Sequence, residues 1–410
     1  MRILLHSPYY APELISIGKY NAEMMQWLAQ RGHEVRVVTA APHYPAWRVG
    51  DGYSAARYSR ETLQGVDVWR CPAWIPGRPG GAARTLYALS HALASLPVLL
   101  WQARWRPQIV IAVEPPLLSF LPAFIAARAC GARTWLHVQD LEVDAAFELG
   151  ILRGARARRW ALRFEIALLR GADGLSTISA AMGARLRGKG LPPERVVFFP
   201  NWADELPADP PGVDFRQILG IPAGHRIAMY AGNMAGKQGL ETVVEAARLL
   251  QHRSDIWFVL VGDGPVRPAL QTLAQGLNQV HFLPLQPLSH LGALLRAADV
   301  HLLPQRAAAA DLVMPSKLGG MFASARATVA GAQPATELAA ALKDKGLVVP
   351  PEDAPAFAAA IESLCDDPQR AAQMGANAQA WVRSELGREA VLGRFEAALE
   401  RLIQSASRSA

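Results

Sequence analysis

Short apolar runs alternate with stretches of helical period along most of the chain. Ile3–His6 and Glu34–Thr39 read as strands, and between them Lys19–Gln30 carries Ala22, Met25, Leu28 and Ala29 on one helical face. This strand–helix–strand opening predicts a parallel sheet. Further strands are expected at Val66–Arg70, Ile109–Val113, Thr134–Val138, Gly174–Thr177 and Val196–Phe199, with helices at Leu86–Ala103, Leu117–Ala129 and Arg158–Leu169. Ser179 stands where a helix cap belongs. After a Pro-rich, acidic stretch, Pro200–Gly212, the alternation starts again. Strands are expected at Ile227–Ala231, Trp257–Val261, Val280–Leu283, Val300–Leu303 and Thr328–Ala330, with helices near 238–251, 266–275, 288–297 and 316–323. Glu389–Ile403 reads as an amphipathic terminal helix. The pattern divides the chain into an α/β domain over 1–200, a linker over 201–215, a second α/β domain over 216–385 and a closing helical segment over 386–410.

Length and composition fit this division. A chain of 410 residues that is 51% hydrophobic and 19% charged can bury a core in each of two domains. Three distant cysteines, Cys71, Cys130 and Cys365, suggest reduced thiols in a cytosolic protein. The opening MRILLHSPYY reads as a first strand and not as a signal segment. Charge is uneven: residues 1–200 carry +10 and residues 201–410 carry −3. A basic half can face anionic lipid, nucleic acid or a polyphosphate. No basic-aromatic module of a nucleic-acid type is present, so nucleic acid is not an expected partner. The run Leu86–Ala103 is bounded by Arg84, Arg104 and Arg106 and admits three readings: a buried helix, a helix lying in a membrane interface, or a span.

The candidate chemistry lies where strands end. YAGNMAGKQGLE, Tyr230–Glu241, joins a strand to a helix through three glycines and Lys237. Free N–H groups and the helix dipole make such a loop an anion site, and a lysine adds a full charge. The motif is neither GxGxxG nor a Walker loop, and an ordinary βα corner remains the alternative. GDGP at Gly262–Pro265 is a second glycine loop at a strand's carboxyl end. Pro304–Lys317 is a long loop entering a helix at Pro315, with Ser316 and Lys317 in its first turn, where phosphate oxygens would be welcome. His137 and Asp140 stand just past a parallel strand, at the edge where open α/β sheets bind ligands. Both could act on a hydroxyl or a developing charge, or serve as a satisfied core histidine and a turn cap. Gly18 stands just before its helix, at the end of the long loop Ser7–Gly18, free either to face a ligand or to ease helix entry.

Taken together, HSPYYAPELISIGKY, FPNW, GNMAGKQGLE, VGDGP and DLVMPSKLGGMFAS resemble the family 4 glycosyltransferases of GT-B fold, in order and over nearly the whole chain. HVQDLEVDAAFELG and GKQGLE are most similar to the colanic-acid-type exopolysaccharide transferases. The resemblance implies two Rossmann-like domains facing across a cleft, with a C-terminal helix returning to the first. It implies retaining, metal-independent transfer from a nucleotide sugar to a polyprenyl-diphosphate-linked saccharide, with no cofactor. A GDP-sugar such as GDP-fucose is the favoured donor and a UDP-sugar the alternative. The setting would be the cytoplasm, with peripheral contact to an anionic membrane surface. Gly18 and Lys19 would face the donor phosphates; Lys237 would neutralise the leaving diphosphate beside Asn233. Gly262, Asp263 and Gly264 would line the nucleotide, and His137 and Asp140 the sugar and acceptor. The family's paired glutamates fall here on Leu312 and Gly320, leaving Asp311 as a displaced substitute and Lys317 as a second phosphate ligand. A GT-B nucleotide-sugar epimerase and a non-catalytic nucleotide-sugar-binding protein are the rival readings.

Overall fold

A computed structural model describes residues 1–13, 16–77, 80–143, 154–203, 206–307 and 317–407. The chain forms two compact units, one of Met1–Asn201 together with the residues from Leu392 onward, the other of Trp202–Val391.

The first unit is built on β1 (Arg2–His6), α1 (Ser16–Gln30), β2 (Glu34–Ala40), β3 (Ser59–Leu63), β4 (Val66–Cys71), α2 (Gly81–Ala103) and β5 (Ile109–Glu114). It continues through α3 (Phe120–Cys130), β6 (Arg133–Val138), α4 (Ala155–Gly171), β7 (Gly174–Thr177), α5 (Ala180–Gly188) and β8 (Val196–Phe198). Strand order is β3-β4-β2-β1-β5-β6-β7-β8, parallel throughout except for β3, which runs antiparallel to β4 at the edge. The central strands are buried on both faces, which is why they read as unbroken apolar runs; all six residues of β5 are buried. One core joins Leu4, Val38, Val110 and Leu136 of the sheet to Leu99 of α2, Phe120 of α3, Leu169 of α4 and Met182 of α5. These four helices therefore cover one face. Ser179 caps α5 by accepting the Met182 N–H at 3.1 Å, as expected.

Two elements differ from the sequence expectation. Helix α1 already includes Ser16, so Gly18 lies in its first turn and not before it. Residues 59–63, where the pattern predicts no element, form β3, whose sequence SRETL lacks apolar alternation. An edge strand can be polar because only one neighbour holds it, here with Arg60 and Thr62 both bonded to Asp67 across the pair.

The second unit follows with α6 (Phe215–Ile218), β9 (Arg226–Ala231), α7 (Glu241–Leu249), β10 (Ile256–Val261), α8 (Arg267–Leu273), β11 (Val280–Leu283), α9 (Leu291–Ala297) and β12 (Val300–Leu303). Next come α10 (Lys317–Ala323), β13 (Ala327–Gly331), α11 (Glu337–Leu342), β14 (Gly346–Val349), α12 (Ala354–Asp366), α13 (Pro368–Trp381) and α14 (Arg388–Ser407). Its six strands are all parallel in the order β11-β10-β9-β12-β13-β14. Helix α6, strand β14 and helices α11 to α13 add to the elements expected from the sequence. Helix α7 begins at Glu241, three residues later than expected, because a 3-10 turn over Gly236–Gln238 precedes it.

Trp202, Ala203 and residues 206–215 pack on this unit. Trp202 and Phe215 are buried, Ala203 bridges to Gly387, and Arg296 bonds Asp209 and the Pro207 carbonyl. From Leu392 onward α14 belongs to the first unit. There Phe395 stacks on Phe199 at 4.0 Å and meets Trp135 edge-on at 5.3 Å, while Glu396 takes His33 at 2.7 Å.

Candidate active site

At the carboxyl end of the second sheet, two glycine loops lie side by side. The Gly232 N–H donates to Val261 O and the Met234 N–H to Asp263 O, so the loops after β9 and β10 are stitched together. Gly262 and Gly264 both hold strongly positive φ, +136° and +155°. A Cβ on Gly262 would collide with the Gly232 carbonyl, and one on Gly264 with the Met234 carbonyl. The glycines are thus required by loop-on-loop packing alone, before any ligand is considered. Asp263 is exposed and accepts its neighbour's N–H, at Gly264, at 2.8 Å.

Lys317, at the described start of α10, reaches across to this corner. Its Nζ donates to the Tyr230 hydroxyl at 2.9 Å and to Gln238 Oε1 at 3.0 Å, and lies 4.3 Å from the Tyr230 ring centroid. Tyr230 in turn donates to the Asn233 carbonyl at 2.6 Å, and burial raises its phenol. A Cβ on Gly232 would stand 3.4 Å from the same Nζ. The ammonium therefore sits on the first glycine loop, beside the turn that carries Lys237. The side chain of Lys237 and residues Asp311, Leu312, Pro315 and Ser316 lie outside the described residues. Gly320 packs toward Leu295, 3.3 Å from where its Cβ would be. Arg306 locks the corner from the other side by donating to the Gly236 carbonyl, Glu241 and Glu352.

In the first unit the candidate residues fall at the carboxyl ends of β1 and β6, two strands apart. His137 is buried, with Nδ1 2.9 Å from Ser176 Oγ and its ring 4.9 Å from that of Phe199. Ser176 Oγ also accepts the Trp135 indole N–H, so its own proton is available to His137 Nδ1. That leaves the imidazole neutral with its proton on Nε2. Burial lowers its pKa to about 3, which fixes the neutral form. Asp140 is exposed just beyond, and its charge helps to raise Glu142. Lys19 pairs with Glu23 along α1 at 3.7 Å.

Gly18 has a packing partner that the sequence did not reveal. A Cβ there would stand 2.7 Å from Oε2 of Glu13. Glu13 is buried, and its Oε1 accepts the N–H groups of His43 and Tyr44 at 2.9 and 3.0 Å. The carboxyl thereby ties the loop after β2 to the first turn of α1. Burial raises it to about 7, against the pull of those two N–H groups and Arg70. Glu13 in the first unit, and Tyr230 and Gln238 in the second, support the candidate residues; all three lie within the motifs quoted above, but the sequence singles none of them out. All three serve as partners of other side chains or backbone groups, and such pairings carry no local motif.

A profile described as Glycosyl transferase 4-like domain matches residues 17–202, and one described as Glycosyl transferases group 1 matches residues 225–367. WcaI of Escherichia coli (strain K12), a relative that its name links to colanic acid biosynthesis, is 43% identical over 347 residues, covering 82% of this chain and 85% of that protein. Among solved structures, the sucrose-phosphate synthase of Thermosynechococcus elongatus superposes with a TM-score of 0.71 at 20% identity, over 98% of this chain and 99% of that one. Anabaena HepE in complex with UDP superposes with a TM-score of 0.68 at 17% identity, over 98% and 100%. These likenesses join the parallel sheets and the glycine corner to one assignment: the chain is an enzyme that belongs to the family 4 glycosyltransferases of GT-B fold.

Proposed function

We propose that this glycosyltransferase moves a sugar from a nucleotide-sugar donor to a lipid-linked saccharide in exopolysaccharide assembly. The reading of the pathway and acceptor is supported by the likeness to the colanic acid transferase over most of both chains. The donor reading rests chiefly on one observation: the Lys317 ammonium held over the Gly232 loop beside the Gly262–Gly264 loop. Diphosphate is the group that such a corner suits. As the bond from anomeric carbon to phosphate oxygen loosens, negative charge grows on the leaving diphosphate. Lys317 is stationed to meet it, with Lys237 the second cation of this reading, and a charge fixed in advance stabilises a transition state without reorganising. The acceptor oxygen bonds to the anomeric carbon from the face the diphosphate leaves, retaining configuration, and its proton passes to the departing phosphate oxygen. Neutral His137, with Asp140 beyond it, orients the sugar and acceptor. In this scheme the two lysines do the work a metal ion would do, and none is required. The enzyme works in the cytoplasm, on an acceptor that it meets at an anionic membrane surface.

A thermal-shift panel of GDP, UDP, ADP and dTDP with and without EDTA tests the donor site. One nucleotide at about 100 times its Kd adds ~2.7 kcal/mol and a clear rise in Tm, unaffected by EDTA. GDP is the expected responder, with UDP the alternative. Absence of a rise with every nucleotide, or a rise that EDTA abolishes, overturns the site as drawn.

A further inference from the structure

The helices on one face of the first sheet leave a surface that the fold itself does not explain. Helix α4 exposes Trp160 (69%) and Phe164 (45%) between Arg156, Arg159 and Arg163, all on one helical stripe, with the Arg163 guanidinium 5.8 Å from the Trp160 ring centroid. Helix α2, in the same layer, exposes Leu86, Leu89, Leu93 and Leu100 at helical spacing, with Trp101 beside them. Between the two, α3 adds exposed Ile125 and Arg128. The only acid in the three helices is Glu165, and it is buried against Lys189.

We infer that this layer is a docking surface for an anionic lipid bilayer, with the leucine stripe of α2 entering the interface and the arginines of α4 reading the headgroup charge. This rests on the membrane contact proposed above and deepens it by naming the helices that make it. Charge complementarity selects the partner. Three helices that carry arginines and, among themselves, no exposed acid repel a second copy of themselves in a two-fold dimer. Nucleic acid would use the arginines but leaves the leucine stripe of α2 without a counterpart, whereas a bilayer offers phosphate and hydrocarbon within a few ångströms. Arginine and tryptophan together suit the headgroup level, where an amphipathic ring and a charged fork can both be satisfied.

The test is flotation of the full chain with phosphatidylcholine vesicles, with or without phosphatidylglycerol, at low and high salt. Wild type is expected to float with the anionic vesicles, less so as salt rises. The triple variant Arg156→Gln, Arg159→Gln, Arg163→Gln should weaken that binding ~100-fold, from the loss of three charges near the surface. The pair Leu89→Gln, Leu93→Gln should reduce the binding that remains at high salt. These side chains are exposed, so Tm and the nucleotide-induced thermal shift should match wild type. Unchanged binding by the triple variant overturns the role of α4, and failure of wild type to bind any vesicle overturns the surface altogether. Equal capture by heparin or RNA, or self-association lost with Trp160→Ser, would assign the face to another partner. In each of those cases an intact nucleotide shift leaves the transferase reading standing.

Discussion

A methyl group added at Gly18 would press on the Glu13 carboxyl, and that contact ties a glycine open to two readings, ligand-facing or easing helix entry, to a buried acid. Glu13 itself gives a pH signature. Unfolded, it releases its proton near 4.5; folded, it holds it to about 7. The folded state therefore binds more protons between those values, and this residue's contribution to stability falls as pH rises through that window and is level above it. Glu13→Gln keeps an oxygen for the His43 and Tyr44 N–H groups but has nothing to ionise. It should gain on wild type from about pH 4.5 to about pH 7, on the order of 2–3 kcal/mol by the end. Urea midpoints across that range check it, and a difference independent of pH would refute it. The two lysines make the other prediction at this scale. Lys237→Ala and Lys317→Ala should each lower kcat ~100-fold or more, the cost of one lost transition-state contact. A variant with near-normal turnover removes that lysine from the mechanism.

Helix α14 is the element whose docking depends most visibly on a few side chains. Phe395 lies between Phe199 and Trp135, and the neighbouring Glu396 holds both His33 and Arg31. The aromatic contact is apolar and fully buried, whereas the ion pairs are partly open to solvent and worth less. Phe395→Ala should destabilise the first unit by ~3–5 kcal/mol, while Glu396→Gln should cost much less. Denaturant unfolding of the two variants gives the ranking, and the reverse order would show that charge and not packing holds the helix.

Across the whole molecule, burial distributes proton linkage unequally between the units. In the first, four buried histidines, His6 (lowered to about 4), His137 (about 3), His43 and His91, are opposed by three buried acids raised in the other direction, Glu13, Glu114 and Glu142, which leaves one histidine unopposed. In the second, His301 is lowered to about 3 and His281 is lowered, and no raised carboxyl offsets them among the described residues. A buried histidine stays neutral below 6.5 while its unfolded counterpart takes a proton, so stability is lost as pH falls from 6.5 toward the folded value, by up to ~1.4 kcal/mol per unit for each site. Acidification to about pH 5 should therefore loosen the second unit before the first. Hydrogen exchange followed by peptide mass analysis reads both units in one experiment; earlier loss of protection in the first unit would contradict the balance.

Much of this protein was legible in the sequence because its strands are short, apolar and separated by helices of clear period. A parallel sheet covered on both faces leaves that mark on every central strand. The same reading located the glycine loops, because only certain backbone turns tolerate positive φ, and it singled out Lys317 because a lysine at a helix start is unusual without an anion. What it missed has one cause. Polar β3, the later start of α7, the Glu13 support under Gly18 and the Tyr230–Lys317–Gln238 contact depend on groups far apart in the chain or on one neighbouring strand. The exposed arginine and leucine stripes of α4 and α2 were written in the sequence, but only the folded sheet decides that they lie on the same side. Periodicity reports which face of an element is apolar. Which faces meet, and which are left facing outward, is settled by packing between elements.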